Sequence, residues 1–478
     1  NLDYLTFKDY KKWWDSINLN SRERLIDKWN EPIDAIDLEA NGFSINGISY
    51  GNISILIQPS RGFDTDSLRD LHSPDLPPPH RYLAQYYWIH KIFKANAIIH
   101  LGKHGSVEWL PGKGIGLSNS CFPHIAMPPL PHIYPFIVND PGEGSQAKRR
   151  TQAVIIDHLT PPLARAGLYG ELHLLETLLD EYYDAKLLSS NRTNIIEKRL
   201  LKLLFEQSFP FVDTSKALSD YDSQSIDELI TELDSYLCEI KDSQIRTGLH
   251  ILGRIPLTNN LVQLIVSISR CPQNNIRGIT QEIAYILKLD IDPWSDDEWH
   301  PVSYNDKNII NKLTNKNIRT NKDIIDYLED QASLIIKCLL SSKNLINKEN
   351  FKKELLHPDL KDFINNSLKY PLIRYIEIKI INNLIGSAIK ERQSFIDALN
   401  GLRVSSGPSG APTRGRIDVL PTGRNFFSLD IRNVPTQAAF DLGNRSANQI
   451  LELYKLENGE DLKSLAISIW ATSTMRNG

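Results

Sequence analysis

The amino-acid sequence predicts a multi-domain α/β protein, with strand-loop-helix units around a cleft and a largely helical middle region. Three observations carry this expectation. At 478 residues the chain exceeds the size at which a single hydrophobic core stops growing. Two short apolar runs, within residues 97–114 and 134–150, each pass straight into a glycine-rich loop, as strands of an open α/β sheet do. Between residues 171 and 400 the apolar side chains fall at helical spacing, as in Leu172, Leu175, Leu178, Leu179 and Tyr182.

Residues 1–60 read as an N-terminal α/β piece. They hold an amphipathic helix pattern from Ser21 to Trp29 and an alternating strand, Ile53-Ser54-Ile55-Leu56-Ile57. Residues 61–190 form the core with the site loops, dense in Gly, Pro, His and aromatic residues up to about residue 170. Residues 191–390 are mainly helical. Within that region, Asn305 to Lys322 is nearly all Asn, Lys, Ile and Thr, so a polar, mobile segment is expected there. Residues 391–478 form a C-terminal α/β piece, in which a Gly/Pro/Arg-rich segment at 401–435 precedes a helix-strand pattern. A chain that starts at Asn1 rather than Met and stops at Met475-Arg476-Asn477-Gly478 reads as a fragment, or as one piece of a divided subunit.

A composition of 41% hydrophobic and 23% charged residues is that of a soluble globular protein. A net charge of -4 without a basic arm argues against nucleic-acid binding. No apolar run approaches the roughly 20 residues that span a bilayer. Cys121, Cys238, Cys271 and Cys338 lack any CxxC spacing, which fits buried free thiols and a reducing cytoplasm better than disulfides or a zinc knuckle.

The first loop follows Ala97-Ile98-Ile99-His100-Leu101 and brings His100, His104 and Glu108 together at spacings of four and four. A helical HExxH zinc site fails, because Leu101 stands where the glutamate belongs and two glycines interrupt the helix. A P-loop fails too: Gly105 to Gly112 is too long a gap, and Gly114 replaces the hydroxyl residue that would hold magnesium. Two readings stay open. Imidazole and carboxylate face a metal or an acidic proton, or the histidines bond loop backbone while Glu108 is a surface charge.

The second loop follows the apolar run Tyr134 to Val138 and carries Asn139-Asp140-Pro141-Gly142-Glu143-Gly144. Ser145 is the expected N-cap of a helix running to Ile156, with Glu143 near its N-terminus, where an anion is favoured. Lys148, Arg149 and Arg150 either meet substrate carboxylates or form a solvated helix face.

At these residues the chain resembles a known family. His100-Leu101-Gly102-Lys103-His104-Gly105-Ser106-Val107-Glu108-Trp109-Leu110-Pro111-Gly112-Lys113 is similar to the signature of CobN-type cobaltochelatase large subunits, whose family includes the porphyrin-binding H subunit of magnesium chelatase. YPFIVNDPGEGSQAKRR, from Tyr134 to Arg150, resembles the cobaltochelatase branch. So do Asp157 to Pro162, Gln244 to His250, Gly407 to Asp430 and Trp470 to Ser473. The resemblance runs from about residue 50 to the C-terminus and is weakest over 300–370.

The resemblance implies a tetrapyrrole-binding catalytic subunit of an ATP-dependent cobaltochelatase, a ligase forming nitrogen–metal bonds. It would insert Co2+ into hydrogenobyrinic acid a,c-diamide in cobalamin biosynthesis, in the cytoplasm. Glu108 would accept a pyrrole proton and Glu143 would be a second carboxylate on the proton or metal path, while His100 and His104 would handle metal together with Glu108. Lys148, Arg149, Arg414, Arg416, Arg424 and Asn425 would contact the macrocycle, arginine forks matching its carboxylates. ATP-Mg2+ would belong to an AAA+-type partner subunit and its companion, since no Walker A sequence occurs in this chain. The alternatives are a magnesium chelatase H-type subunit acting on protoporphyrin IX, or a non-catalytic tetrapyrrole or metal carrier.

The chemistry suits carboxylates. Insertion removes N–H protons from the ring and strips water from the metal. A unit charge at about 4 Å, with an effective dielectric near 20, contributes about 4 kcal/mol, or about three pK units. A dication acidifies the ring further, so even a carboxylate becomes an adequate base.

Overall fold

The computed structural model describes residues 3–37, 41–62, 73–102, 105–160, 163–165, 171–188, 190–207, 212, 223–242, 244–246, 249–273, 276–314, 318–346, 357–366, 369–428, 432, 434–469 and 471–477. The architecture is a mixed, multi-domain α/β fold.

The chain opens with β1 (Tyr4–Thr6), α1 (Phe7–Trp14) and α2 (Leu19–Trp29), and β2 (Gly42–Ser44) pairs antiparallel with β1. The side chains of Thr6 and Asn18 cap the two helices by accepting from Asp9 N and Asn20 N. A hairpin of β3 (Gly47–Tyr50) and β4 (Ile53–Leu56) follows, so the expected strand is present. Its isoleucines are not covered, however: Ile53 and Ile55 are 66% and 65% exposed, because the hairpin forms a two-stranded sheet of its own.

After α3 (His80–Lys91), three parallel strands build the central sheet in the order β5 (Ile98–Ile99), β6 (His132–Ile137), β7 (Val154–His158). A 3-10 turn, Val107–Trp109, and α4 (Phe122–Ala126) link β5 to β6, and α5 (Pro141–Arg150) links β6 to β7. Every residue of β6 is buried, as expected for a parallel strand covered on both faces. The helix of the second loop differs from the expectation. It starts four residues before Ser145, because Pro141 supplies a pre-set φ at N1, and Ser145 Oγ instead donates to Pro141 O at 2.6 Å. It ends at Arg150, and the β-branched run Val154 to Ile156 enters the sheet.

The middle region begins with β8 (Leu163–Arg165), α6 (Glu171–Leu188), α7 (Ser190–Gln207), α8 (Ser223–Asp242) and β9 (Gln244–Arg246), which pairs antiparallel with β8. The three helices share a core that includes Leu175, Leu179, Leu200, Leu204 and Leu233. Then come α9 (Thr258–Ser269), α10 (Ile279–Ile286), α11 (Tyr304–Ile310), α12 (Asn321–Ser342), α13 (Pro358–Asn365), α14 (Pro371–Tyr375), a π-helical turn (Ile376–Ile381) and α15 (Asn382–Leu399). Their core reaches Val138 and Leu159 at the ends of β6 and β7, tying the helical region to the sheet.

The Asn/Lys-biased stretch takes regular structure across much of its described part. Ser303 caps α11 through Asp306 N, and Ile310 and Ile318 are fully buried or nearly so. These two isoleucines anchor an otherwise polar segment; residues 315–317 lie outside the described residues.

Short strands β10 (Ser406–Gly407) and β11 (Asn425–Phe426) pair in parallel. Asp157 N donates to Arg424 O at 2.9 Å and Gly423 N to Asp157 O at 2.8 Å, which attaches this pair to the open edge of β7. The chain closes with α16 (Gln437–Asn458) and α17 (Ala471–Asn477). Residues 461–469 form no strand, for Leu465, Ile467 and Ile469 are exposed and pair with no strand among the described residues. Cys121, Cys271 and Cys338 are buried and join no disulfide among the described residues, while the side chain of Cys238 lies outside the described residues. Among the described residues no helix is long and apolar enough to cross a membrane.

Candidate functional site

Alternation along β6 puts His132, Tyr134 and Phe136 on the sheet face that α5 covers, with Ile133 on the other. Both motif loops leave the carboxyl ends of β5 and β6, the usual location of a site in an open α/β sheet. The loop after β5 folds back so that Glu108, in the 3-10 turn, lies fully buried against Tyr134. The Tyr134 hydroxyl donates to Glu108 Oε1 at 3.3 Å and accepts from Gly105 N. A Cβ on Gly105 would stand 3.1 Å from Glu108 Oε2 and 3.0 Å from the Tyr134 hydroxyl, so the backbone there lies directly over the carboxylate. Among the described residues Glu108 Oε2 has no hydrogen-bond partner.

Burial pushes the Glu108 carboxyl up to about 7. The hydrogen bonds from its own backbone N–H and from Tyr134, with Arg150, work against this shift, and the negative charge of Glu143 works with it. Glu143, in the first turn of α5, is thus close enough for its charge to act on Glu108. A carboxyl poised near neutral pH can both take and release a proton.

Two arginines hold the Glu108 turn in place. Arg150 Nη1 donates to Glu108 O at 2.7 Å, Nη2 to Leu110 O at 2.7 Å and Nε to Lys113 O at 3.1 Å. Arg61 Nη2 donates to Trp109 O at 2.8 Å, and both arginines are buried. Behind the carboxylate runs a hydrogen-bonded chain. His132 Nδ1 faces Thr151 O at 3.4 Å, His132 Nε2 meets His100 Nδ1 at 3.1 Å, and His100 Nε2 meets the Tyr86 hydroxyl at 3.1 Å. The terminal carbonyl only accepts, so His132 donates to it and His100 donates to His132, while the single Tyr86 hydroxyl proton lies between His100 Nε2 and Gln58 Oε1, each at 3.1 Å. Burial holds His132 down at about 4 and His100 well below the ordinary histidine range, so both are neutral at pH 7. Both ring nitrogens of His100 are engaged, and coordination of a metal by this residue requires breaking one of these bonds. His104 lies outside the described residues. Among the described residues no group of three or more His, Cys, Asp or Glu side chains is arranged to hold a metal ion.

The expected substrate contacts fall into different settings. Lys148 Nζ donates to Phe426 O at 2.7 Å, which joins α5 to β11, and burial lowers its pKa. Arg149 is exposed, and so is Arg414. Arg416 is buried with its fork occupied by Asp418, at 3.0 Å to Oδ1 and 2.9 Å to Oδ2, which leaves Nη1 without a partner among the described residues. Arg424 is half-buried and its Nη2 donates to Leu420 O at 3.4 Å. Asn425 follows it on β11, with a buried side-chain oxygen that has no partner among the described residues.

Sequence reasoning missed several members. His132 and Tyr134 alternate along β6, a signal that two site side chains share a face. Tyr86 lies in a helix that reads as core. Asp157, fully buried at the end of β7, accepts from Arg424 N at 2.7 Å, and burial pushes its carboxyl up to about 8.

The whole chain, residues 1–478, matches the family model described as CobN/Magnesium Chelatase. It is 39% identical to the aerobic cobaltochelatase subunit CobN of Pseudomonas aeruginosa, over 99% of this chain and 36% of that protein. It is 27% identical to the magnesium-chelatase H subunit of Chlorobaculum parvum, over 98% of this chain and 35% of that protein. The catalytic subunit of cobaltochelatase from Mycobacterium tuberculosis superposes with a TM-score of 0.73 at 33% identity, covering 100% of this chain and 38% of that one. The chain therefore spans little more than a third of the length of these relatives. By its sequence and by its fold, it belongs to the CobN/magnesium chelatase family.

Proposed function

We propose that the chain supplies the metal-insertion face of a cobaltochelatase, which places Co2+ into a corrin-type macrocycle such as hydrogenobyrinic acid a,c-diamide. The observation that carries this reading is Glu108: a fully buried carboxyl near pK 7, with one oxygen unpartnered among the described residues and Glu143 beside it. Glu108 takes a pyrrole proton as the dication approaches, and Glu143 receives charge or proton next. The arrival of the cation lowers the pKa of both carboxyls, which favours release of the proton after insertion. Tyr134 and the two arginine clamps keep the carboxylate aimed, and the neutral His100–His132 pair fills the space behind it without adding charge.

The cobalt branch is favoured by identity of 39% to the cobaltochelatase relative against 27% to the magnesium-chelatase one. ATP hydrolysis belongs, on this reading, to AAA+-type partner subunits, and the reaction to cobalamin biosynthesis in the cytoplasm. The test is single-turnover metal insertion with partners and ATP, followed by the absorption change of the macrocycle. Wild type converts a cobalt-free corrinoid and not protoporphyrin IX. Tight binding without conversion would leave a carrier, and conversion of protoporphyrin with magnesium would move the chain to the other branch.

A further inference from the structure

On the sheet face opposite Glu108, residues 420–425 lie along α15. Thr422 N donates to Ser387 Oγ at 2.9 Å, Thr422 Oγ1 to Glu391 Oε1 at 2.6 Å, and Ser394 Oγ to Gly423 O at 2.7 Å. A Cβ on Gly423, whose φ is +86°, would stand 2.5 Å from the carbonyl carbon of Lys390, so only glycine allows this approach. The contact places Arg424, the next residue, beside Lys390.

Both cations are half-buried, and among the described residues neither has a carboxylate at ion-pair distance. Burial lowers the Lys390 pKa and the neighbouring Arg424 charge lowers it further, with Asp157 offsetting part of this. The acid that touches Arg424, Asp157, is pushed up to about 8 and is mostly neutral at pH 7. Two adjacent, partly desolvated cations repel each other until an anion arrives.

We propose that Lys390 and Arg424 form a subsite for one peripheral carboxylate of the macrocycle, and that Glu391 is the positioning residue that holds it together. The proposal rests on the tetrapyrrole reading above. The guanidinium fork matches both carboxylate oxygens and the ammonium adds a point charge. Glu391 joins the parts: it also accepts from Leu159 N at 3.1 Å, His250 Nε2 at 2.8 Å and Gly253 N at 2.9 Å. It thus fixes the end of β7, the 250–253 loop and the 422–424 segment to one helix.

The test is a titration of the intact chain with a cobalt-free corrinoid carrying free peripheral carboxylates and with its methyl ester, followed by tryptophan quenching. Wild type is expected to bind the free acid about tenfold tighter than the ester, a difference of about 1.4 kcal/mol. Lys390→Ala and Arg424→Ala should each weaken the acid about tenfold and the ester less than about twofold. Glu391→Gln should narrow the gap between acid and ester while leaving circular dichroism unchanged, whereas a purely structural role would weaken both ligands alike. Equal binding of acid and ester by wild type overturns the subsite alone, as does equal weakening of both ligands in Lys390→Ala. If wild type binds neither compound, the tetrapyrrole reading falls and the subsite with it.

Discussion

Glu108 and Glu391 are both fully buried glutamates next to the same three-stranded sheet, yet their acidities move in opposite directions. Burial penalises the charged form of each. At Glu391 the hydrogen bonds from His250, Thr422 and Gly253 outweigh it, and the carboxyl is held below the ordinary range. At Glu108 its own backbone N–H and the Tyr134 phenol offset burial only in part, one oxygen has no partner among the described residues, and Glu143 adds repulsion, so the carboxyl rises to about 7. Burial alone therefore does not decide which way a carboxyl's acidity moves; the completeness of its donor set does. One side of the sheet fixes structure with its acid, and the other keeps its acid available.

The largest effect that separates the two should come from Glu108→Gln. If this carboxyl is the proton acceptor, insertion falls by about 10²- to 10⁴-fold in a single-turnover assay, while macrocycle affinity stays within about twofold. Near-wild-type turnover would remove the contrast. Glu391→Ala should act on stability instead. It strands four donors, the His250 imidazole among them, at a cost of about 3–5 kcal/mol read from the urea midpoint. A loss below about 1 kcal/mol would mean that water replaces the missing carboxylate.

The pH dependence has opposite signs on the two sides. Between the unfolded value of 4.5 and the folded value of about 7, the native state holds more protons at Glu108 than the unfolded chain does. Stability at this site thus falls as pH rises through that window, by about 3 kcal/mol in all. Glu391, with its pKa lowered on folding, contributes stability that is present above its unfolded value and lost as pH falls through its folded one. Urea titrations from pH 4.5 to 7 should show Glu108→Gln gaining stability relative to wild type as pH rises, because the decline contributed by Glu108 is gone. Both proteins share the remaining slope, in which Asp157, raised to about 8, acts in the direction of Glu108, and His132 and His100, lowered on folding, act in the opposite one.

Much of the scaffold is legible in the residues, because periodicity is local. The spacing of Leu172 to Tyr182 marks α6, and the apolar run from Tyr134 marks β6. Glu108 and Glu143 stand out as loop residues after two strands, and only the family resemblance pairs them. What is not legible depends on distant partners. Glu391 stands in Lys390-Glu391-Arg392-Gln393, a run that reads as a solvated helix face, and its donors come from residues 159, 250, 253 and 422. The protonation of Glu108 likewise depends on Gly105, Tyr134 and Glu143 closing around it. Starting the helix at Ser145 failed for a smaller reason: a good capping residue four positions on competed with Pro141, whose ring fits the first turn.

Arg149 and Arg150 give the smallest expected effects and show the same limit within one dipeptide. Adjacent residues on a helix point about 100° apart, so one guanidinium turns inward and the other outward. Arg150 spends its donors on three carbonyls of the Glu108 turn. A lysine there keeps the charge but cannot serve three acceptors in a fixed fork, so Arg150→Lys should lower insertion by about tenfold while leaving the pH midpoint in place. Arg149 is exposed, and Arg149→Ala should change stability by no more than about 0.5 kcal/mol. Its effect on macrocycle affinity should also stay within about twofold, as a rim charge is screened by water and salt. A larger loss of affinity would place the macrocycle across the outer face of α5, and with it the entrance to Glu108.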